Sequence, residues 1–180
     1  MRLDHYAIRC NDRLSSARFY ELAFGYKVQE HFELDLDDGT KAKCVAMTPP
    51  EIGTVPAISI SMEPLSYGLY HRPPDVFISD GTPGSVVDKW VTKYGNGVGG
   101  IHHVAYAVED VAWAMKLWTK EGWAEFTTDK PIEGGDLIQC FTKPHKHTGV
   151  VYELIKRLGD KGFNKNNVKA LMQSTVDEVE

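Results

Sequence analysis

The stretch Gly100-Ile101-His102-His103-Val104-Ala105-Tyr106-Ala107-Val108-Glu109-Asp110 decides how the rest of the chain is read. It alternates like a half-buried strand and ends in Glu109-Asp110, able to cap a following helix. The pattern occurs once more at the N-terminus. Leu3-Asp4-His5-Tyr6-Ala7-Ile8 is also strand-like, and Asp12 stands as far after His5 as Asp110 does after His103. Each strand precedes a helical stretch with an aromatic near its end (Tyr20, Trp118), then Gly-aromatic (Gly25-Tyr26, Gly122-Trp123). Two copies offset by about half the chain predict an internal duplication. A strand His repeated in both copies is a stronger ligand candidate than one met once.

The 180 residues are 42% apolar, enough for one sizeable core or for two small modules sharing one. A net charge of −5 with no basic cluster or basic helix face predicts no nucleic-acid partner and no attachment to anionic lipid. No apolar run reaches membrane-spanning length, and the N-terminus lacks the apolar core of a signal peptide. Cys10, Cys44 and Cys140 stand singly in strand-like segments, which suits reduced, buried thiols in a cytoplasmic protein.

Taken in order, the first module (about 1–62) predicts a strand over Leu3–Cys10, a helix over Asp12–Ala23 stopped by Gly25, and two strands, Tyr26–Leu36 and Lys41–Thr48. Asp37-Asp38-Gly39 between those strands is a hairpin signal. Pro49-Pro50 then breaks the chain, and Val55–Met62 reads as the fourth strand. Residues 63–99 form a Pro- and Gly-rich connector. It holds a short apolar piece (Val76-Phe77-Ile78) and a docked helix over Ser85–Tyr94, with Val86, Val87, Trp90, Val91 and Tyr94 on one face. The second module (100–157) repeats the plan: strand Ile101–Val108, helix Asp110–Lys120, then strands near Trp123–Thr128, Leu137–Thr142 and Val150–Arg157. A tail (158–180) ends in an amphipathic helix carrying Val168, Leu171, Met172 and Val176. The expected fold is α+β: two tandem βαβββ modules forming one open, cupped mixed sheet with helices outside.

In such a duplication the first and last strands of each copy converge at the centre of the cup, which brings His5 and His103 together. Glu153 lies amid apolar neighbours in Val151-Tyr152-Glu153-Leu154-Ile155. Burying an unpaired carboxylate costs on the order of several kcal/mol, so it needs a cation or hydrogen-bond partners. A divalent metal held by His5, His103 and Glu153 satisfies it. The comparable place in module one falls about at Ile60, between Ser59 and Ser61, and offers no ligand. Two His and one carboxylate with open positions is the pattern of non-haem Fe(II) oxygenases, although the ligand types also admit manganese, cobalt or zinc. His102 competes with His103, since adjacent strand residues point to opposite faces; the repeat register favours His103. His145 and His147 read as solvated loop residues.

These residues resemble the vicinal oxygen chelate superfamily of glyoxalases, bleomycin-resistance proteins and dioxygenases. The tightest likeness is to the C-terminal, catalytic half of 4-hydroxyphenylpyruvate dioxygenase. Gly100-Ile101-His102-His103-Val104-Ala105 is similar to that family's Gly-Val-Gln-His-Ile-Ala, and Gln139-Cys140-Phe141-Thr142-Lys143-Pro144 to its Gln-Ile-Phe-Thr-Lys-Pro. Glu153-Leu154-Ile155-Lys156-Arg157 resembles its Glu-x-Ile-Gln-Arg ligand strand, and the run from Gly162 to Leu171 its Gly-Phe-Gly-x-Gly-Asn-Phe-x-x-Leu tail. The resemblance implies Fe(2+) on His5, His103 and Glu153, with Gln139, Phe141 and Asn167 at the substrate. It also implies a tail helix that closes the site, a small-molecule substrate with dioxygen, and a homodimer. The family's enzymes are about twice as long, and the resemblance is to their catalytic half. Val151 and Val168 replace ring-clamping phenylalanines, His102 replaces a Gln, and Met62 replaces an Asn, so the implied substrate is a 2-oxo acid or other bidentate oxygen chelator rather than 4-hydroxyphenylpyruvate. Two other classes stay open: a metal-dependent lyase or isomerase of the glyoxalase or methylmalonyl-CoA epimerase type, and a metal-free binding protein of the resistance type.

Overall fold

The computed structural model describes residues 1–50, 74–159 and 163–179. The chain runs through β1 (Arg2–Cys10), α1 (Arg13–Phe24), β2 (Lys27–Asp35), β3 (Lys41–Thr48), β4 (Asp75–Gly81) and α2 (Val86–Tyr94). There follow β5 (Gly99–Ala107), α3 (Val111–Lys120), β6 (Ile132–Gly134), β7 (Leu137–Phe141), β8 (Val151–Arg157) and α4 (Lys165–Ser174). Among the described residues eight strands form one mixed sheet in the order β2-β3-β4-β1-β5-β8-β7-β6. The two modules meet where β1 and β5 pair antiparallel, and each first strand also pairs parallel with the last strand of its own module. This is the expected α+β cup of two βαβββ units.

Local chemistry starts and stops the helices as read. The Asp12 carboxylate accepts from the N–H groups of Leu14 and Ser15, and Asp110 accepts from that of Trp113. Gly25 ends α1 in the left-handed region at φ 72°, its N–H bonded to Glu21 O. Strand alternation sorts side chains between the two faces of the sheet. In β3 and β4, Val45, Met47, Val76 and Ile78 pack with Ala17 of α1, while Cys44, Ala46 and Phe77 face Trp90 of α2 and Val168 and Met172 of α4. Helices α1 and α3 therefore cover the outside of the cup, and α2 and α4 fill its inside. Contacts of α4 with β2 and with β6 and β7 join the two ends of the curled sheet. Among the described residues no helix is long and apolar enough to cross a membrane.

Two strand boundaries differ from expectation. Val55–Met62 lies outside the described residues, and the strand that pairs with both β1 and β3 is β4, drawn from the stretch read as connector. Its tract of Val76-Phe77-Ile78 was too short to mark a strand, and ladders on both sides sustain it. The strand expected near Trp123–Thr128 is reduced to a single bridge, Phe126 to Thr142; β6 takes the edge position beside β7 instead.

Candidate functional site

Pairing of β1 with β5 sets His5 opposite Ala105 and Ala7 opposite His103, so the two histidines sit diagonally across one ladder. Pairing of β5 with β8 places Glu153 beside Ala105. The three side chains are buried and converge on the inner face of the cup. Nε2 of His5 and Nε2 of His103 each lie 3.2 Å from Oε2 of Glu153, and the three candidate ligand atoms fall within 4.8 Å of one another. Adjacent ligands of an ion with bonds of about 2.1 Å stand about 3 Å apart, so this donor set fits a divalent metal. Among the described residues no fourth His, Cys or carboxylate joins the group.

The duplication explains why. Ala7 pairs with Phe77 as Ala105 pairs with Glu153, so Phe77, not Ile60, is the counterpart of Glu153. One module supplies a carboxylate at that place and the other a phenyl ring.

The electrostatics match a site that holds charge out of water. Burial disfavours the imidazolium of His5, but the charges of Glu153 and Asp4 outweigh it and raise the His5 pKa to about 9. Burial likewise opposes the Glu153 carboxylate, yet His5 and His103 bring its pKa down to about 2. For His103 burial prevails and its pKa is lowered.

The cavity in front of the group is lined by Phe77, Phe141, Phe163, Gln139, Val168 and Leu171, among others. The Phe141 ring lies 4.6 Å from that of His103, and the Phe163 ring 4.9 Å from that of His5. Gln139 is buried, and its Nε2 has no hydrogen-bond partner among the described residues. An unmet buried amide costs about 1–3 kcal/mol, so this donor suits an acceptor oxygen brought by a ligand. Asn167 stands elsewhere: its Nδ2 donates to the carbonyls of Gly134 and Leu137 and docks α4 onto the β6–β7 hairpin. Val151 packs against Phe141 and Leu171. His145 and His147 lie on a loop with rings 5.5 Å apart, away from the triad group.

Sequence reasoning missed Asp4, Arg9, Phe77 and Phe163. Arg9 and Phe163 line the cavity, and Asp4 accepts from His5 Nδ1 at 2.8 Å. The signal for Asp4 was its place before His5, matching that of His102 before His103.

Residues 2–122 match the model of the Glyoxalase/Bleomycin resistance protein/Dioxygenase superfamily, and the chain belongs to that superfamily. No curated protein matches it in sequence. Among solved structures, a triple mutant of 4-hydroxymandelate synthase from Streptomyces coelicolor aligns with TM-score 0.73 at 20% identity, over 99% of this chain and 54% of the synthase. The chain thus spans about half the length of that enzyme. A methylmalonyl-CoA epimerase aligns with TM-score 0.62 at 24% identity, over 87% of this chain and 95% of its own. The Streptomyces coelicolor methylmalonyl-CoA epimerase follows at TM-score 0.57 and 21% identity, over 88% and 99%. These likenesses establish the fold.

Proposed function

With superfamily membership as the premise, we propose that the chain is an Fe(II)-dependent dioxygenase acting on a 2-oxo acid or a similar bidentate oxygen chelator. The observation that carries this reading is the asymmetry of the duplicated site, with Glu153 on one side and Phe77 on the other. His5, His103 and Glu153 would hold the ion on one face and leave the opposite face to ligands. Bound there, ferrous iron would supply the electrons and the site where a 2-oxo acid and dioxygen meet. The protein's own part is placement and exclusion. The Gln139 amide would donate to a substrate oxygen, and Phe77, Phe141 and Phe163 would keep water from the reacting groups. Val168, Leu171 and Met172 of α4 roof the cavity, so α4 would shift to admit substrate.

A second reading, a metal-dependent lyase or isomerase, draws support from the epimerases, whose chains are covered over nearly their full length. That chemistry wants a fourth ligand or a base opposite Glu153, where Phe77 stands. The test is electron paramagnetic resonance of the anaerobic, Fe(II)-loaded protein exposed to nitric oxide, followed by oxygen uptake with a panel of 2-oxo acids. A high-spin iron-nitrosyl signal that His103→Ala abolishes, with oxygen consumed on one of the acids, is the expected result. Turnover of a substrate without oxygen would move the assignment to the isomerase class.

A further inference from the structure

Each candidate ligand histidine follows a residue that a regular strand would turn to the opposite face. The β1–β5 ladder departs from regularity twice. From Leu3 to His5, β1 advances two residues while β5 moves one, from Tyr106 to Ala105, which leaves Asp4 as the extra residue. Further along, β5 moves two residues, from His103 to Ile101, while β1 moves one, from Ala7 to Ile8, which leaves His102 as the extra residue. A bulge re-aims the residue it inserts. Asp4 and His102 occupy the same place in the two copies, immediately before His5 and His103. Asp4 Oδ1 lies 2.8 Å from His5 Nδ1, and His102 Nδ1 lies 2.8 Å from His103 Nδ1.

We infer that Asp4 and His102 are a duplicated pair of positioning residues that back the two ligand histidines, and that Asp4 makes His5 the stronger donor. The inference rests on the metal-centre reading above. With an ion bound, a hydrogen on Nδ1 of each ring, given to the residue behind it, would leave the Nε2 lone pair free for the ion beside Glu153. The two backings differ in kind. His103 leans on a second imidazole, whereas His5 leans on a carboxylate that is itself clamped. Arg157 Nη2 donates to Asp4 Oδ1 at 2.7 Å, and its Nε lies 3.0 Å from Oδ2. The Arg157 guanidinium also stacks over Phe163, whose ring abuts His5. Asp4, 6% exposed in its side chain, is therefore fixed from both sides. A carboxylate held behind an imidazole raises its basicity and fixes its orientation, and loss of such a partner typically weakens metal binding 10- to 100-fold, by about that factor here.

The test is a Co(II) titration of the metal-free protein, followed by competition with a chelator and by the visible d–d bands. Asp4→Asn keeps size and an acceptor oxygen but removes the charge. It is expected to weaken Co(II) about 10- to 100-fold and to shift the bands, because the His5 donor itself has changed. Arg157→Gln leaves Asp4 in place and is expected to act in the same direction by less; it decides the matter if Asp4→Asn does not fold. His103→Ala separates the two readings. If His103→Ala loses tight binding while Asp4→Asn and Arg157→Gln keep both affinity and spectrum, the positioning role is overturned and the metal centre stands. If affinity falls with an unshifted spectrum, Asp4 is merely structural and the inference fails. If His103→Ala binds Co(II) as tightly as the wild type, the metal-centre reading falls, and this inference with it.

Discussion

At the residue scale, His5 and Glu153 form a proton-loaded pair, and an ion held by the proposed triad would have to displace that proton. His5 carries a raised pKa of about 9 beside Glu153 at about 2. The raised pKa of His5 stabilises the metal-free fold fully below about 6.5 and loses that contribution as pH rises through about 9. The depressed pKa of Glu153 stabilises above about 4.5 and is lost as pH falls through about 2. The pair therefore supports the metal-free fold best between about pH 4.5 and 6.5, while metal affinity rises with pH by up to about tenfold per unit until about pH 9. Calorimetric titration in buffers of different ionisation enthalpy, from pH 6 to 9, should register close to one proton released per ion at pH 7. Affinity that is flat over that range would mean that His5 is not a ligand. Gln139 gives a prediction of opposite sign for stability and function. Gln139→Leu removes a buried donor that lacks a partner, so the melting temperature should hold or rise, by up to about 1 kcal/mol of stability. Under the proposed function, KM for an accepted 2-oxo acid should rise about tenfold with little change in kcat. A parallel loss of melting temperature would show instead that Gln139 is part of the packing.

At the element scale, α4 roofs the cavity with Val168, Leu171 and Met172 and is tied down by polar contacts at its first turn. Its N-cap is Asn164, whose side-chain oxygen accepts from the N–H groups of Asn166 and Asn167. Asn167 ties the helix to the β6–β7 hairpin, and a Cβ at Gly134 would collide with Asn167 Oδ1, so an alanine there must push the Asn167 amide from its place. Asn167→Ala should cost about 1–3 kcal/mol of α4 docking, since one buried and one partly buried carbonyl lose a donor. Amide hydrogen exchange should then speed up in α4 while β1 and β5 keep their protection. Gly134→Ala should reproduce that exchange pattern. Uniform acceleration across the sheet would show that α4 is part of the global fold rather than a separately opening unit. The elements also mark how far local pattern carries. Helix ends were legible because Asp12, Asp110, Ser85 and Gly25 act within a few residues of themselves, whereas the apolar residues of α1 other than Ala17 stay largely exposed. The short strands β4 and β6 were not, because the neighbouring ladders rather than their own seven and three residues hold them extended.

At the scale of the whole molecule, duplication makes the cup and its imperfection makes the site. Phe77→Glu would restore the symmetry by placing a second carboxylate opposite Glu153. The variant should still bind a divalent metal, but a fourth protein ligand would take one of the three positions the triad leaves open, so the nitrosyl signal after iron loading and nitric oxide should change in shape. An unchanged signal would show that Phe77 does not border the coordination face. By itself, the sequence determined the repeat and the helices, and it singled out His5, His103 and Glu153 as candidates, which the structure brings within 4.8 Å of one another. Periodicity, capping and the recurrence of a strand histidine are properties of residue order. Tertiary structure alone decided which strand closes the first module, and therefore that Phe77 answers Glu153. It also decided that two bulges turn Asp4 and His102 inward, against the simple alternation that would send them outward. Ladder register is set by pairing between segments about half a chain apart, and no local pattern encodes a single inserted residue in such a pairing.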